Sequence, residues 1–221
     1  MRSFRELIRD RTTKPFMVGV ELVTSRSTLE SKDGRKVTKL ADAATEWEAV
    51  DWVSITDNAG GNPMLAPSTL GRRVLDRGKD VIIHLACKDR NRNAIESVAW
   101  QYHSEGLHNI LALTGDYPVS GYRGIAAPVF DLDACTLLRM LSEMNGGLQV
   151  PGRKPGSVID LPATDFFLGA AVSPFKANEA ELMCQYLKME LKVKNGAGFL
   201  IPQLGYDMRK SHELTAYLKQ R

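Results

Sequence analysis

Six short apolar runs, each followed by a stretch of helical spacing, predict an α/β fold built on a parallel sheet with helices outside it. Two further observations support this. The runs are apolar almost throughout, as expected of strands covered on both faces. Polar residues gather at or just past their C-terminal ends. Both an open doubly wound sheet and a closed (β/α) barrel fit this order. No G-x-G-x-x-G follows the first run and no G-x-x-x-x-G-K-[ST] occurs anywhere, so those phosphate-holding loops are excluded.

The units read in order. Phe16–Leu22 (FMVGVEL) is rich in strand formers, and Lys39–Ala49 repeats apolar residues at Leu40, Ala43, Ala44 and Trp47. Trp52–Thr56 (WVSIT) is the second strand, followed by a helix capped by Ser68 and carrying Leu70, Val74 and Leu75. Val81–Leu85 (VIIHL) leads to a helix over Asn91–Glu105, which Gly106 stops. Ile110–Thr114 (ILALT) precedes a helix over Asp131–Asn145. Phe166–Val172 (FFLGAAV) precedes Asn178–Asn195, ended by Gly196. Phe199–Gln203 (FLIPQ) and a helix over Arg209–Gln220 complete the series. Three connections are long: Thr24–Thr38, Val119–Val129 and Leu148–Thr164. The first two follow strands, so they read as cover or mobile loops on the face that bears the strands' C-terminal ends. No repeat and no linker divides residues 1–221, which read as a single domain.

Composition narrows the function. Apolar residues make up 43% and charged residues 25%, the balance of an ordinary globular chain. Lys plus Arg total 29 against 26 Asp plus Glu, and a net charge of +3 spread along the chain argues against nucleic acid. No apolar run has the length of a membrane span. The N-terminal stretch Met1-Arg2-Ser3-Phe4-Arg5-Glu6 lacks the apolar block of a signal peptide. Cys87, Cys135 and Cys184 are too dispersed for a disulfide framework or a paired metal motif. A cytoplasmic protein without a metal is expected.

Glu21, Thr56, His84, Asp116 and Gln203 each fall at a strand's C-terminal end, and in a barrel these positions converge on one mouth. Glu21 stands in Val-Gly-Val-Glu-Leu. Burial there would raise its pKa and suit a general acid, while pairing to an Arg would make it structural. His84, in Ile-Ile-His-Leu-Ala-Cys, reads as a core histidine or a site residue. In Thr114-Gly115-Asp116, Gly115 would admit close backbone approach and Asp116 would project a charge, or else close its own turn. Lys188 and Lys192 lie four apart on one helix as a solvated face or an anion clamp. Trp47, Trp52 and Trp100 read as packing.

These segments together resemble the methylenetetrahydrofolate reductase family, flavin-dependent (β/α)8 TIM barrels of one-carbon metabolism and methionine biosynthesis. The resemblance runs from about Phe16 to Asp207, on VGVEL, DWVSITDNAGG, IIHLACKDRN, NILALTGDYP, FDLD, FFLGAAVSPF and KVKNGAGFLIPQLGYD. The order and spacing of HLACKDRN and NILALTGD are its most specific part. It implies that hydride passes from NADH or NADPH to FAD and then to the folate iminium, giving 5-methyltetrahydrofolate. Glu21 matches the acid that protonates a folate nitrogen. Asp116 matches the carboxylate beside the flavin's N1 and C2 carbonyl, and Gln203 the glutamine that bonds the pterin. Thr56, His84, Leu113, Thr114 and Gly115 match positions along the isoalloxazine and ribityl chain, and Lys192 a lysine near the FAD phosphates. Ala170 and Lys188 complete the set expected around the cofactor. Thr114 and Val172-Ser173-Pro174 depart from the family, which often has Arg and Tyr-Pro-Glu there. Only six of the barrel's eight units are present, which implies a longer chain or a homo-oligomeric partner covering the strand edges at Phe16–Leu22 and Phe199–Gln203. A folate- or flavin-binding subunit without turnover, docked to a methyltransferase or electron-transfer partner, is the alternative.

Overall fold

Residues 3–10, 12 and 16–220 are described by the computed structural model; Met1, Arg2 and Arg221 of the terminal stretches lie outside them. Ser3 opens helix α1 (Phe4–Arg9) with a capping box. Its hydroxyl accepts from the Glu6 N–H, and the Glu6 carboxylate accepts from the Ser3 N–H at 2.7 Å. Then follow β1 (Gly19–Leu22), α2 (Lys32–Glu46), β2 (Trp52–Ile55), α3 (Pro67–Asp76), β3 (Asp80–Ala86), α4 (Arg92–Ser104), β4 (Asn109–Leu113) and α5 (Ala134–Gly146). A hairpin of β5 (Gln149–Pro151) and β6 (Val158–Asp160) precedes β7 (Phe167–Val172), α6 (Glu179–Lys194), β8 (Phe199–Pro202) and α7 (Met208–Lys219). Among the described residues no helix is long and apolar enough to cross a membrane.

Six strands form one parallel sheet in the order β1-β2-β3-β4-β7-β8. A doubly wound sheet reverses its order about a switch point, and this one does not. The sheet also curls. Trp52 on β2 and Phe199 on β8 are four strand steps apart, roughly 19 Å in a flat sheet. Yet both rings pack on Phe4, with centroids 5.2 and 5.0 Å from it. The sheet is therefore a half-barrel, carrying six units of a (β/α)8 barrel.

Strand periodicity sorts side chains onto the two faces of this curl. Val53, Ile55, Ile83, Leu85, Ile110, Ala112, Leu168 and Ala170 point outward into the helix layer and join the main core. Ile82, Leu111, Phe167 and Phe199 point inward, where Phe4 of α1 plugs the N-terminal end of the concave face at 2% exposure. Two strand glycines make room for this plug. A Cβ on Gly19 would lie 2.2 Å from the Trp52 ring, and one on Gly169 would lie 2.1 Å from that of Phe199.

Several expectations change. β1 begins at Gly19, not Phe16, and Phe16 is 76% exposed. As a sheet edge, β1 has a single strand neighbour, β2. The segment Thr24–Thr38 is not all loop, because Ser31 caps α2 by accepting from Gly34 N–H at 3.0 Å and starts the helix at Lys32. Ser68 does not cap α3. Pro67 occupies the first turn, where its missing N–H costs nothing, and Ser68 lies buried just inside. Leu148–Thr164 contains the β5–β6 hairpin.

Candidate active site at the C-terminal strand ends

Beyond the aromatic plug the concave face turns polar. A cleft of about 670 Å³ opens at the C-terminal ends of the strands, within the usual size range of a small-molecule site. Glu21, Thr56, His84, Leu113, Gly115, Asp116 and Gln203 line it, so seven of the residues expected at the site come together. Backbone bonds that prolong the ladders fix three of its corners: Thr56 N–H to Leu22 O at 3.1 Å, Cys87 N–H to Leu113 O at 3.0 Å, and Gln203 N–H to Val172 O at 2.7 Å.

Four expected residues do not line the cleft. Along β4 and β7 the inward positions are Asn109, Leu111 and Leu113, and Phe167, Gly169 and Ala171. Thr114 and Ala170 have the opposite parity. The Thr114 hydroxyl accepts from Ala134 N–H at 3.1 Å and so serves the start of α5. Ala170 is buried in the helix-side core, and Ala171 lines the cleft in its place. Lys192 reaches from α6 to donate to Ala171 O at 2.7 Å, with its pKa lowered by burial and by the nearby Lys188 charge against the opposing pull of Cys135 and Asp133. Lys188 lies exposed on the same helix.

Glu21 is not buried: its side chain is 61% exposed, so the desolvation expected from its apolar strand does not arise. β1 is an edge strand, and its inward residue faces the open mouth. His84 is buried, and burial pushes its pKa down to about 4 against the opposing charge of Asp57. It is therefore neutral near pH 7. Its Nε2 lies 2.6 Å from Ser54 Oγ, and at 3.8 Å from Glu21 Oε2 it makes no ion pair while neutral. Thr56 Oγ1 is buried with no hydrogen-bond partner. Cys87 is core, its thiol pushed up to about 12 chiefly by burial.

Charged residues not anticipated from sequence frame the rim. The Asp57 carboxylate accepts from Ala86 N–H at 3.0 Å and from Arg90 at 2.5 and 3.2 Å. Lys88, 2% exposed, pairs with Asp89 at 2.7 Å, and Asn58 donates to the same carboxylate at 2.7 Å. Burial alone would raise the Asp89 pKa; its bonds to Lys88 and Asn58 lower it overall. Gly115, at φ +91°, is required by Lys88, since a Cβ there would meet the lysine stem at 2.8 Å. The parity of β2 and β3 carries a signal for Ser54, in step with Thr56, and for Lys88, in step with His84. Asp57 and Asn58 follow the end of β2, where parity says nothing.

A half-barrel with a polar cleft at its C-terminal strand ends is the architecture of a barrel enzyme, with chemistry at one end and packing at the other. The chain belongs to the methylenetetrahydrofolate reductase family, whose model matches residues 21–220. It is 26% identical over 169 residues to methylenetetrahydrofolate reductase 1 of Schizosaccharomyces pombe, covering 76% of this chain and 25% of that protein. It is 24% identical over 174 residues to the 5,10-methylenetetrahydrofolate reductase of Pectobacterium carotovorum, covering 74% and 50%. The chain thus spans half or less of the length of these curated relatives. Among solved structures, an uncharacterized protein from Clostridium thermocellum that binds two copies of 5-methyl-5,6,7,8-tetrahydrofolic acid superposes with a TM-score of 0.55 at 11% identity, over 95% of this chain and 62% of that one. A 2,3-dimethylmalate lyase of the PEP mutase/isocitrate lyase superfamily gives 0.55 at 11%, over 97% and 65%. These two likenesses establish the fold.

Proposed function

We propose that the cleft reduces 5,10-methylenetetrahydrofolate to 5-methyltetrahydrofolate with a bound flavin and a reduced nicotinamide as donor. The observation that carries this reading is the convergence of Glu21, Asp116 and Gln203 on one cleft with Thr56 and His84 on its wall. A flavin supplies hydride transfer when bound. The fit is supported by the unpartnered Thr56 hydroxyl, which offers a ready donor and acceptor, and by the size of the cleft. Thr56, His84, Leu113 and Gly115 would hold the ring system. Thr114 and Lys192 are engaged elsewhere, so this chain's grip on the ribityl chain and on the phosphate end is weaker than the family pattern implies.

Glu21 would deliver a proton to the folate nitrogen whose loss opens the five-membered ring. Its exposure at the mouth lets the side chain reach an incoming substrate and be reprotonated from solvent. The other rim charges are paired, Lys88 with Asp89 and Arg90 with Asp57, leaving Glu21 and Asp116 to give the cleft its negative character. That field favours a cationic iminium over a neutral ring. Gln203 presents both a donor and an acceptor to the pterin edge. The edges of β1 and β8 suit cover by a second copy or by further chain.

Titrating the purified chain with FAD and with 5-methyltetrahydrofolate tests this reading. Perturbed flavin absorbance, and folate binding that Gln203→Ala weakens by about tenfold, the loss of one or two hydrogen bonds, are expected. Binding of neither ligand would contradict it.

A further inference from the structure

At the opposite end of the barrel from the cleft, His103, His108 and Asp165 come together from three elements. His103 lies in the last turn of α4, His108 just ahead of β4, and Asp165 just ahead of β7. Their ligand atoms all lie within 4.8 Å of one another. A single carboxylate oxygen serves both rings: Asp165 Oδ1 is 3.3 Å from His103 Nε2 and 2.5 Å from His108 Nδ1. The second contact lacks hydrogen-bond alignment, so His108 Nδ1 is left buried without a hydrogen-bond partner. The backbone around the three is held firmly. Phe167 N–H donates to His108 O at 2.8 Å, and Asn145 brackets Asp165 by accepting from Thr164 Oγ1 at 2.7 Å and from Phe166 N–H at 2.8 Å. Arg5 donates to the Asp165 carbonyl.

We propose that His103, His108 and Asp165 form a site for a transition-metal dication of the Zn²⁺ type. Two imidazoles and one carboxylate are a borderline ligand set that prefers such an ion to Mg²⁺ or Ca²⁺. Ligands at about 2.0–2.1 Å from a tetrahedral ion sit roughly 3.3 Å apart. The His103–Asp165 pair already has that spacing. The His108–Asp165 pair needs to open by somewhat less than 1 Å (~3.3 Å against the present contact), which rotation of an Asp165 side chain 62% exposed supplies. The two rings are partly exposed, at 33% and 38%, while His108 Nδ1 itself faces inward towards Asp165, and a groove of about 410 Å³ containing His108 and Asp165 leaves room for water as the fourth ligand. The ion would tie the end of α4 to the starts of β4 and β7. It would thus clamp the half-barrel at the base of the long β4–β7 connection.

The test uses the 221-residue chain in a Cys184→Ser background, so that the exposed thiol does not compete for metal. Co²⁺ serves as the spectroscopic probe and Zn²⁺ as its competitor. The expected result is visible d–d absorption of a four-coordinate ion, abolished by one equivalent of Zn²⁺, with a melting temperature raised by about 5 °C or more at hundredfold excess over Kd. His108→Ala and Asp165→Asn should each weaken Zn²⁺ binding by at least tenfold, while His212→Ala on α7 leaves it unchanged. If His108→Ala loses its native circular dichroism, Asp165→Asn alone decides. No saturable binding at micromolar Zn²⁺, or equal affinity in wild type and Asp165→Asn, overturns the proposal.

Discussion

The two ends of the same inward-facing strand positions differ in what they bury, aromatic rings at one and polar side chains at the other. At the N-terminal end, Trp52, Phe167 and Phe199 close on Phe4 with ring centroids 5.2, 5.9 and 5.0 Å from it, and glycines remove the atoms that would obstruct them. At the C-terminal end, two and four residues beyond Trp52, two beyond Ile82 and four beyond Phe167, the positions are Ser54, Thr56, His84 and Ala171. There a buried histidine is kept neutral, a buried hydroxyl has no partner, and a carboxylate stands open to water. One end is filled by rings, at the cost of a Trp52 Nε1 buried without a hydrogen-bond partner. The other carries polar groups whose cost a ligand can offset. The half-barrel is stabilised from the end opposite the cleft, which leaves the cleft free to be imperfect.

Three perturbations sharpen this contrast. Phe4→Ala removes the plug and should cost about 3–5 kcal/mol in unfolding free energy, measured by urea denaturation, while folate affinity at the cleft is unchanged. A loss below about 1 kcal/mol would show that the plug holds little of the fold. The second perturbation is pH. His84 has a folded-state pKa of about 4 against an ordinary value of 6.5, so between those values the unfolded chain binds the extra proton. Stability should fall as pH drops from 6.5 towards 4, by about 3 kcal/mol at most from this residue, and level off below. His84→Gln should remove that part of the slope; an identical slope in the variant contradicts the assignment. The smallest effect is expected from Gly169→Ala, which presses a methyl against the Phe199 ring and should cost about 1–3 kcal/mol in the same assay.

The alternation of apolar runs and helical spacing made the six units and their parallel order readable from sequence, because strands covered on both faces leave a continuous apolar signal. Boundaries were less legible where one residue's capping chemistry outweighed local composition. Ser31 turns the polar Lys-Asp-Gly-Arg-Lys into helix, and Pro67 moves a helix start ahead of the serine that would otherwise cap it. Strand-end position alone was enough to anticipate that Glu21, Thr56, His84, Asp116 and Gln203 line one cleft. It did not separate Thr114 and Ala170 from their inward neighbours, which needed the register of β4 and β7. The Asp57–Arg90 and Lys88–Asp89 pairs stayed hidden because a run of charges after a strand resembles any solvated turn. Glu21's exposure follows from β1 being an edge, which the count of six units implied but the apolar run around the residue obscured. The triad at the base joins residues 57 positions apart in sequence across the β5–β6 excursion, from His108 to Asp165, and no local pattern announces it.

Folate reduction at the polar end, as proposed, turns on Glu21 as proton donor. The most direct test is stopped-flow measurement of the two half-reactions in flavin-loaded wild type and Glu21→Gln. Reduction of the flavin by the nicotinamide needs no proton from Glu21 and should be preserved. The folate half-reaction should slow by at least about a hundredfold, the scale of a lost general acid. Oxidation of the reduced flavin by 5,10-methylenetetrahydrofolate at the wild-type rate in Glu21→Gln would contradict the assignment.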